Sequence, residues 1–248
     1  MITKVHGIKY QNGRIEELQD PVVTESVVSL YFNGRHVQNM VATAEALEEL
    51  GAGFFIAAGL ASSITSVRVE GLNIFVEGIE GARSGGAQTE GAVESAGGFD
   101  PGSTIEPVPD GGEITPEQIF AMRETLNTGD WSETGGLHTT VLFCKDRQAA
   151  LFSDIGRHNT VDKCIGYMVL HRLAPSDCSL ATTGRQPRGM VVKAVHAGIP
   201  IVVSRTAATS LGVKEADVNN ITLICFTRDR RFTVYTHPER IKGLGENL

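Results

Sequence analysis

The chain has 248 residues, 41% of them hydrophobic, and its 29 acidic and 22 basic side chains leave a net charge of −7. This is enough apolar material to build a full core, in one large or two modest domains, and it excludes a disordered chain. An acidic balance without a long basic stripe excludes a general binder of nucleic acid or acidic membranes. No run approaches the roughly 18 uninterrupted apolar residues of a spanning helix, and Met1 to Arg14 lacks a signal-peptide core, so a soluble cytoplasmic protein is expected.

In chain order, Val27 to Phe32 reads as a strand, Asn33-Gly34 as a turn, and Ala44 to Leu60 as a helix running into Gly-rich sequence. Val67 to Val69 and Ile74 to Val76 form a hairpin around Gly71. Residues 78–112 contain ten Gly, one Arg and no Lys, a composition suited to a loop. Residues 1–112 are therefore expected as a small α+β domain ending in that loop. Thr115-Pro116-Glu117-Gln118 then supplies an N-cap hydroxyl, a Pro at the first helical position and a capping-box Gln. Beyond it, strands at His138 to Phe143, Ala149 to Ile155, Ser179 to Thr182, Ile201 to Ser204, Ile221 to Phe226 and Phe232 to Thr236 are interleaved with helices. Those helices are Val161 to Leu173, Met190 to His196 and one capped by Thr209 that runs to Val218. The alternation implies a layered α/β sandwich over residues 113–248.

Two stretches carry candidate chemistry. Asp154 to Lys163 crowds polar side chains around Gly156 where a strand meets a helix, with Asn159 as the expected N-cap. Free backbone N–H groups and the helix dipole favour an anion at such an edge. The plainer alternative is that Asp154, Arg157 and Asp162 cap and pair among themselves. The turn Phe226-Thr227-Arg228-Asp229-Arg230-Arg231 places three guanidiniums between two strands, suited to the oxygen pairs of a pyrophosphate. Here the alternative is a solvated hairpin tip. The four cysteines, at 144, 164, 178 and 225, form no C-x-x-C pair and match neither a zinc framework nor a disulfide scaffold; they are expected mostly in the core.

Asp154 to Lys163 resembles the D-x-G-R-H-N-x-x-D-K signature of the FdhD/NarQ family, accessory proteins that mature formate dehydrogenase. Thr134 to His138, Gly184-Arg185 with Met190 to Ala194 and Ala197 to Pro200, Ser204 to Leu211, and Ile221 to Phe226 with Val234 to Pro238 agree in the same order. The resemblance implies a cytidine-deaminase-like α/β domain carrying a smaller N-terminal domain, assembled as a homodimer. It does not imply deamination, because the H-x-E and P-C-x-x-C segments of a zinc deaminase are missing and His138 is followed by Thr139-Thr140. His138 reads instead as a hydrogen-bonding residue at a strand end. The family's cargo is the molybdenum bis(molybdopterin guanine dinucleotide) cofactor, with GDP as its mimic. Carried over residue by residue, its contacts fall on Phe226, Thr227, Arg228, Asp229, Arg230 and Arg231, with Arg157, His158, Arg185 and Lys193 adding positive charge. The implied partners are formate dehydrogenase and a cysteine desulfurase.

The family's sulfur-carrying members hold S-C-G-x-C-G in the Gly-rich loop, where this chain has Ser95-Ala96-Gly97-Gly98-Phe99-Asp100. Ala96 and Phe99 cannot form a persulfide, which needs a sulfur nucleophile. Whether the chain is an enzyme is thus open at this level. It is read first as a maturation factor that binds the cofactor. The alternatives are a sulfurtransferase working through another thiol such as Cys144, or a non-catalytic guanine-nucleotide-binding or interaction protein of the same fold.

Overall fold

The computed structural model describes residues 2–81 and 106–244. The chain opens with a hairpin that hydrophobic periodicity does not suggest, β1 (Ile2–Gln11) against β2 (Arg14–Val23). Its turn, Asn12-Gly13, has positive φ at both residues, as a two-residue hairpin loop requires. The hairpin is mostly exposed, so neither strand shows the clean alternation of a half-buried element.

β3 (Ser26–Phe32) turns at Asn33-Gly34 into β4 (Arg35–Ala42), followed by α1 (Leu47–Ala57), β5 (Ala61–Glu70) and β6 (Asn73–Glu80). The strand and turn readings hold here, including Gly71 at positive φ. The helix is shorter than expected because Ala46 takes a left-handed conformation at its start and Gly59 does so just past its end. These strands make one sheet in the order β4-β3-β6-β5, with β3 and β6 parallel. Its inner side, Val28, Leu30, Phe32, Ile74 and Val76, is buried with Leu50 and Phe55 of α1, and the rings of Phe32 and Phe55 stack 4.8 Å apart. Ala96 and Phe99 fall outside the described residues.

The second half begins with α2 (Pro116–Glu124), where Thr115 Oγ1 accepts from Gln118 N and Gln118 Oε1 accepts from Thr115 N, the capping box read from sequence. A short α3 (Gly129–Thr134) precedes β7 (His138–Cys144), β8 (Arg147–Asp154), α4 (Arg157–Leu170), β9 (Cys178–Thr182), α5 (Arg188–Ala197), β10 (Ile201–Ser204), α6 (Ser210–Val218), β11 (Thr222–Arg228) and β12 (Arg231–Thr236). The sheet order is β12-β11-β10-β9-β7-β8. β9, β10 and β11 are parallel, while β7 and β12 run against their neighbours. This is the expected layered α/β architecture, and it directs the carboxyl ends of β8, β9, β10 and β11 to one edge.

A single apolar core joins the two halves, from Leu30 and Phe55 through Ile165 and Met168 to Leu180 and Val191. Its centre is the crossing of α1 and α4, which touch backbone to backbone. A Cβ on Gly53 would lie 1.7 Å from Asp162 O, and one on Gly166 would lie 1.8 Å from Glu49 O. No side chain larger than hydrogen fits at either position without moving a helix. Gly166→Ala is therefore expected to lower stability by about 3 kcal/mol; an unchanged urea midpoint would show that the helices do not meet at this distance.

Candidate functional site

The signature stretch divides into two populations. α4 starts one turn earlier than expected: its N-cap is Gly156, which has no side chain to cap with, and Asn159 is buried inside the first turn. Asn159 serves the fold instead, since its Nδ2 donates to Asp154 Oδ1 at 2.8 Å and to Val41 O at 2.9 Å. Asp154, fully buried at the end of β8, accepts from Gly156 N, from Thr43 N and Oγ1, and from Lys163 Nζ at 2.7 Å. Lys163, buried equally deeply, also donates to Thr43 Oγ1 at 2.9 Å. These bonds tie the end of β4 to α4. Asp162 faces α5 and binds Lys193 Nζ with both oxygens, at 2.7 and 2.9 Å. Burial pushes the Asp162 carboxyl above its ordinary range, and the Lys193 ammonium opposes that shift. Asp154 and Asp162 are thus consumed in pairing, but with Lys163 and Lys193 rather than with Arg157 or one another as the plainer alternative had it, and Lys193 is occupied in the interior.

Arg157 turns toward Gly184 and His138, and both it and His158 are half-buried at the start of α4. The Arg157 stem lies across Gly184, where a Cβ would come within 3.0 Å of it, so the Gly preceding Arg185 makes room for this arginine. Arg185 is exposed and forms no ion pair among the described residues. Burial and then the nearby Arg185 guanidinium lower the pKa of Arg157. His138, at the start of β7, is held below its ordinary range by burial, then by Arg157 and Arg185. Its Nδ1 lies 3.2 Å from Thr183 Oγ1, the strand-end hydrogen bond read from sequence.

A hydroxyl network continues from this cluster along the edge. Thr140 Oγ1 lies 2.6 Å from Thr160 Oγ1 and donates to Thr182 Oγ1, which in turn accepts from Gly184 N. Ser204 Oγ donates to Gly184 O, and Thr206 Oγ1 donates to Thr183 O. Thr206 O accepts from Phe226 N, linking the first candidate stretch to the second. Sequence reasoning missed Thr182, Thr183, Ser204 and Thr206. Their signal was available, because each falls where an apolar strand gives way to polar residues, as Asp154 does. Thr43 carries no such signal.

Phe226 sits at φ 54°, a conformation rare for a bulky residue, and a register shift in the β11–β12 ladder lies between Cys225 and Arg228. Beside it, Thr227 is buried with no partner for its Oγ1 among the described residues. Arg228, Asp229, Arg230 and Arg231 are exposed at the hairpin tip, with Arg228 paired across from Arg231 and with Asp229 and Arg230 at positive φ. The Arg230 guanidinium lies 5.8 Å from the Phe120 ring centroid.

The cysteines correct the sequence reading. Cys164 and Cys225 are core residues, but Cys144 and Cys178 form a disulfide between β7 and β9. They are 34 positions apart in sequence, and only the strand register makes them neighbours. They lie at the sheet end opposite the arginines, where a cleft of about 230 Å³ is lined by residues that include Met122, Lys145, Ser176, Cys178 and Ile201. The cleft belongs to neither candidate stretch. The described residues contain no group of three or more His, Cys, Asp or Glu placed to hold a metal, and no helix long and apolar enough to cross a membrane.

Compared with known proteins, residues 23–242 match the model of the FdhD/NarQ family. The chain is 30% identical to the sulfur carrier protein FdhD of Bacillus subtilis (strain 168), over 97% of this chain and 98% of that one. It is 31% identical to the protein FdhD of Methanocaldococcus jannaschii, covering 95% and 97%. The fold superposes with a TM-score of 0.80 on the crystal structure of a protein from Desulfotalea psychrophila described as a formate dehydrogenase accessory protein, at 26% identity over 97% of this chain and 99% of that one.

The electrostatics of the arginine cluster set the behaviour of His138. Its folded-state pKa lies below the value of 6.5 that it regains on unfolding, so the folded protein binds fewer protons. His138 should therefore cost stability as pH falls below about 6.5, where the unfolded chain takes up the proton. Arg157→Ala should move the His138 pKa upward in an NMR titration; no movement would mean that the guanidinium does not face the ring.

Proposed function

Because the chain belongs to the FdhD/NarQ family, we propose that it is a formate dehydrogenase accessory protein that binds the molybdenum bis(molybdopterin guanine dinucleotide) cofactor as cargo and presents it to formate dehydrogenase. The observation that carries this reading is the convergence of Arg157, Arg185 and His138 on one edge, each of the two guanidiniums raising the cost of positive charge nearby. A phosphate-bearing ligand relieves that cost, and the amino termini of α4, α5 and α6 open on the same edge.

The residues present fit such a ligand. Gly184 lets the Arg157 stem lie flat, and Phe226 and Thr227 carry the strained backbone and the unpartnered buried hydroxyl that mark a binding segment. Arg228, Arg230 and Arg231 supply forked donors at the solvent end of the same strand. Arg157, His158 and Arg185 would hold phosphate from the α4 side, while Phe226 to Arg231 would hold the guanine nucleotide from the hairpin side. Lys193 is left out because Asp162 already neutralises it. This reading also takes the chain to act in the cytoplasm as a homodimer, with a cysteine desulfurase as an upstream partner.

A second reading, a guanine-nucleotide-binding protein that has lost the chemistry, is favoured by Ala96 and Phe99 at the positions of the family's cysteines. Complementation of a strain lacking its accessory factor separates the two: restored formate dehydrogenase supports the first reading, and failure despite GDP binding supports the second. Arg228→Ala and Arg230→Ala should each weaken GDP binding, measured calorimetrically, by about 1.5 to 3 kcal/mol for every charge-assisted hydrogen bond removed. Unchanged affinity would move the nucleotide site away from the hairpin. Arg157→Ala should reduce cofactor retention without lowering the melting temperature, whereas Lys193→Ala should lower it, because it strands the buried Asp162 carboxylate.

A further inference from the structure

We propose that Cys144 and Cys178 are a sulfur-handling pair, in which Cys144 accepts sulfane sulfur from a persulfide donor and Cys178 expels it as hydrosulfide. The proposal rests on reading this chain as a sulfur carrier, as several relatives are named, and it supplies the thiol that the Gly-rich loop lacks.

A sulfur acceptor must be a thiolate that a donor can reach. No cysteine precedes residue 144. Cys164 is fully buried, its thiol pushed up by burial and its Sγ donating to Thr140 O at 3.4 Å. Cys225 is fully buried as well, its thiol pushed up to about 12. Neither ionises at neutral pH, which leaves the pair between β7 and β9.

The strand geometry gives the two members different duties. Cys144 and Cys178 face each other across the antiparallel ladder with their Cα atoms 4.2 Å apart. The adjoining bond, from Lys145 N to Asp177 O, identifies this as a non-hydrogen-bonded pair, the closest juxtaposition an antiparallel sheet allows. Cys144 is half-buried and followed by the exposed turn Lys145-Asp146, so it is open to an incoming donor. Cys178 is 2% exposed, so it meets its partner sulfur far more readily than an external one.

The chemistry closes on these two atoms. In the reduced pair, the Cys144 thiolate attacks the terminal sulfur of a donor persulfide. A new S–S bond forms on Cys144, the donor's S–S bond breaks, and the donor leaves as a thiol with no net oxidation. The Cys178 thiol then attacks Cys144 Sγ and releases the outer sulfur as hydrosulfide, carrying the proton. The protein sulfurs are oxidised to the disulfide and the sulfane sulfur is reduced. A dithiol reductant resets the pair. Cys144 lies six residues along β7 from His138, about 20 Å away at the rise of a strand, so the sulfur leaves as hydrosulfide and is not passed directly to cargo at the arginine edge.

The test uses the full chain, reduced and freed of reductant, then incubated with a cysteine desulfurase and cysteine as the persulfide source. Cys178→Ser should gain the mass of one sulfur atom, removable by dithiothreitol. Wild-type protein should end two hydrogens lighter, with sulfide released, and Cys144→Ser should do neither. An unmodified Cys178→Ser protein, or a sulfur adduct that survives Cys144→Ser, would overturn the proposal. Should either variant fail to fold, early alkylation and peptide mass spectrometry of the wild type provide the same decision, because the adduct must lie on the peptide containing Cys144. GDP affinity measured on the same samples separates the two ideas: intact GDP binding without sulfur transfer defeats only the cysteine pair, and sulfur transfer without GDP binding defeats only the cofactor reading.

Discussion

The contact between α1 and α4 at Gly53 and Gly166 governs the rest of the molecule, because it fixes how far the amino end of α4 projects from the sheet edge. Two helices that meet on backbone atoms have little room to slide, since any shift drives a carbonyl into a neighbouring turn. Beside this crossing, the buried Lys163–Asp154 pair, bridged by Thr43, locks the same helix to the end of β4. Two charges removed from water contribute little net stability on their own. Their directional bonds, however, leave one satisfied arrangement for the β8–α4 junction, and with it one position for Arg157.

That arrangement explains how a run of consecutive polar residues performs two tasks. Helical geometry turns Asp162, Lys163 and Asn159 inward, where each meets a partner from another element. It leaves Arg157 at the first turn, beside Gly184 and His138. Gly184, two residues past the end of β9, takes part by clearing the path of the Arg157 stem. The hydroxyls of Thr140, Thr182, Ser204 and Thr206 satisfy one another and the nearby backbone. The edge is thereby polar, with the charge of Asp154 spent on Lys163 and Asp229 standing among three arginines at the hairpin tip.

The two ends of the central sheet have opposite characters. At one end, strand termini, helix amino termini and guanidiniums converge, an arrangement that favours a polyanion. At the other, β7 and β9 bring two thiols into bonding distance beside a cleft with apolar and polar walls. Under the two proposals above, cargo binding and sulfur handling would sit at opposite ends of one sheet, held apart by the length of its strands.

Much of the fold was legible from residues alone. Thr115 and Thr209 cap their helices because a hydroxyl placed before a helix satisfies free N–H groups locally, and the strands of the α/β half follow from short apolar runs between turn residues. Glycine turns at Asn33-Gly34 and Gly71 were equally local, as was the clustering of basic residues around positions 157, 185 and 226–231. Pairing was not legible. Whether Asp154 meets Arg157 or Lys163, whether Lys193 points to a ligand or to Asp162, and whether Cys144 is solitary or bonded to Cys178 all depend on strand order and helix crossing. Those are set by which surfaces exclude water together across more than a hundred residues, as when Thr43 reaches Asp154. The one-dimensional chain states the chemical character of each side chain, and the packed core alone decides which of them is consumed in holding the structure and which is left to act.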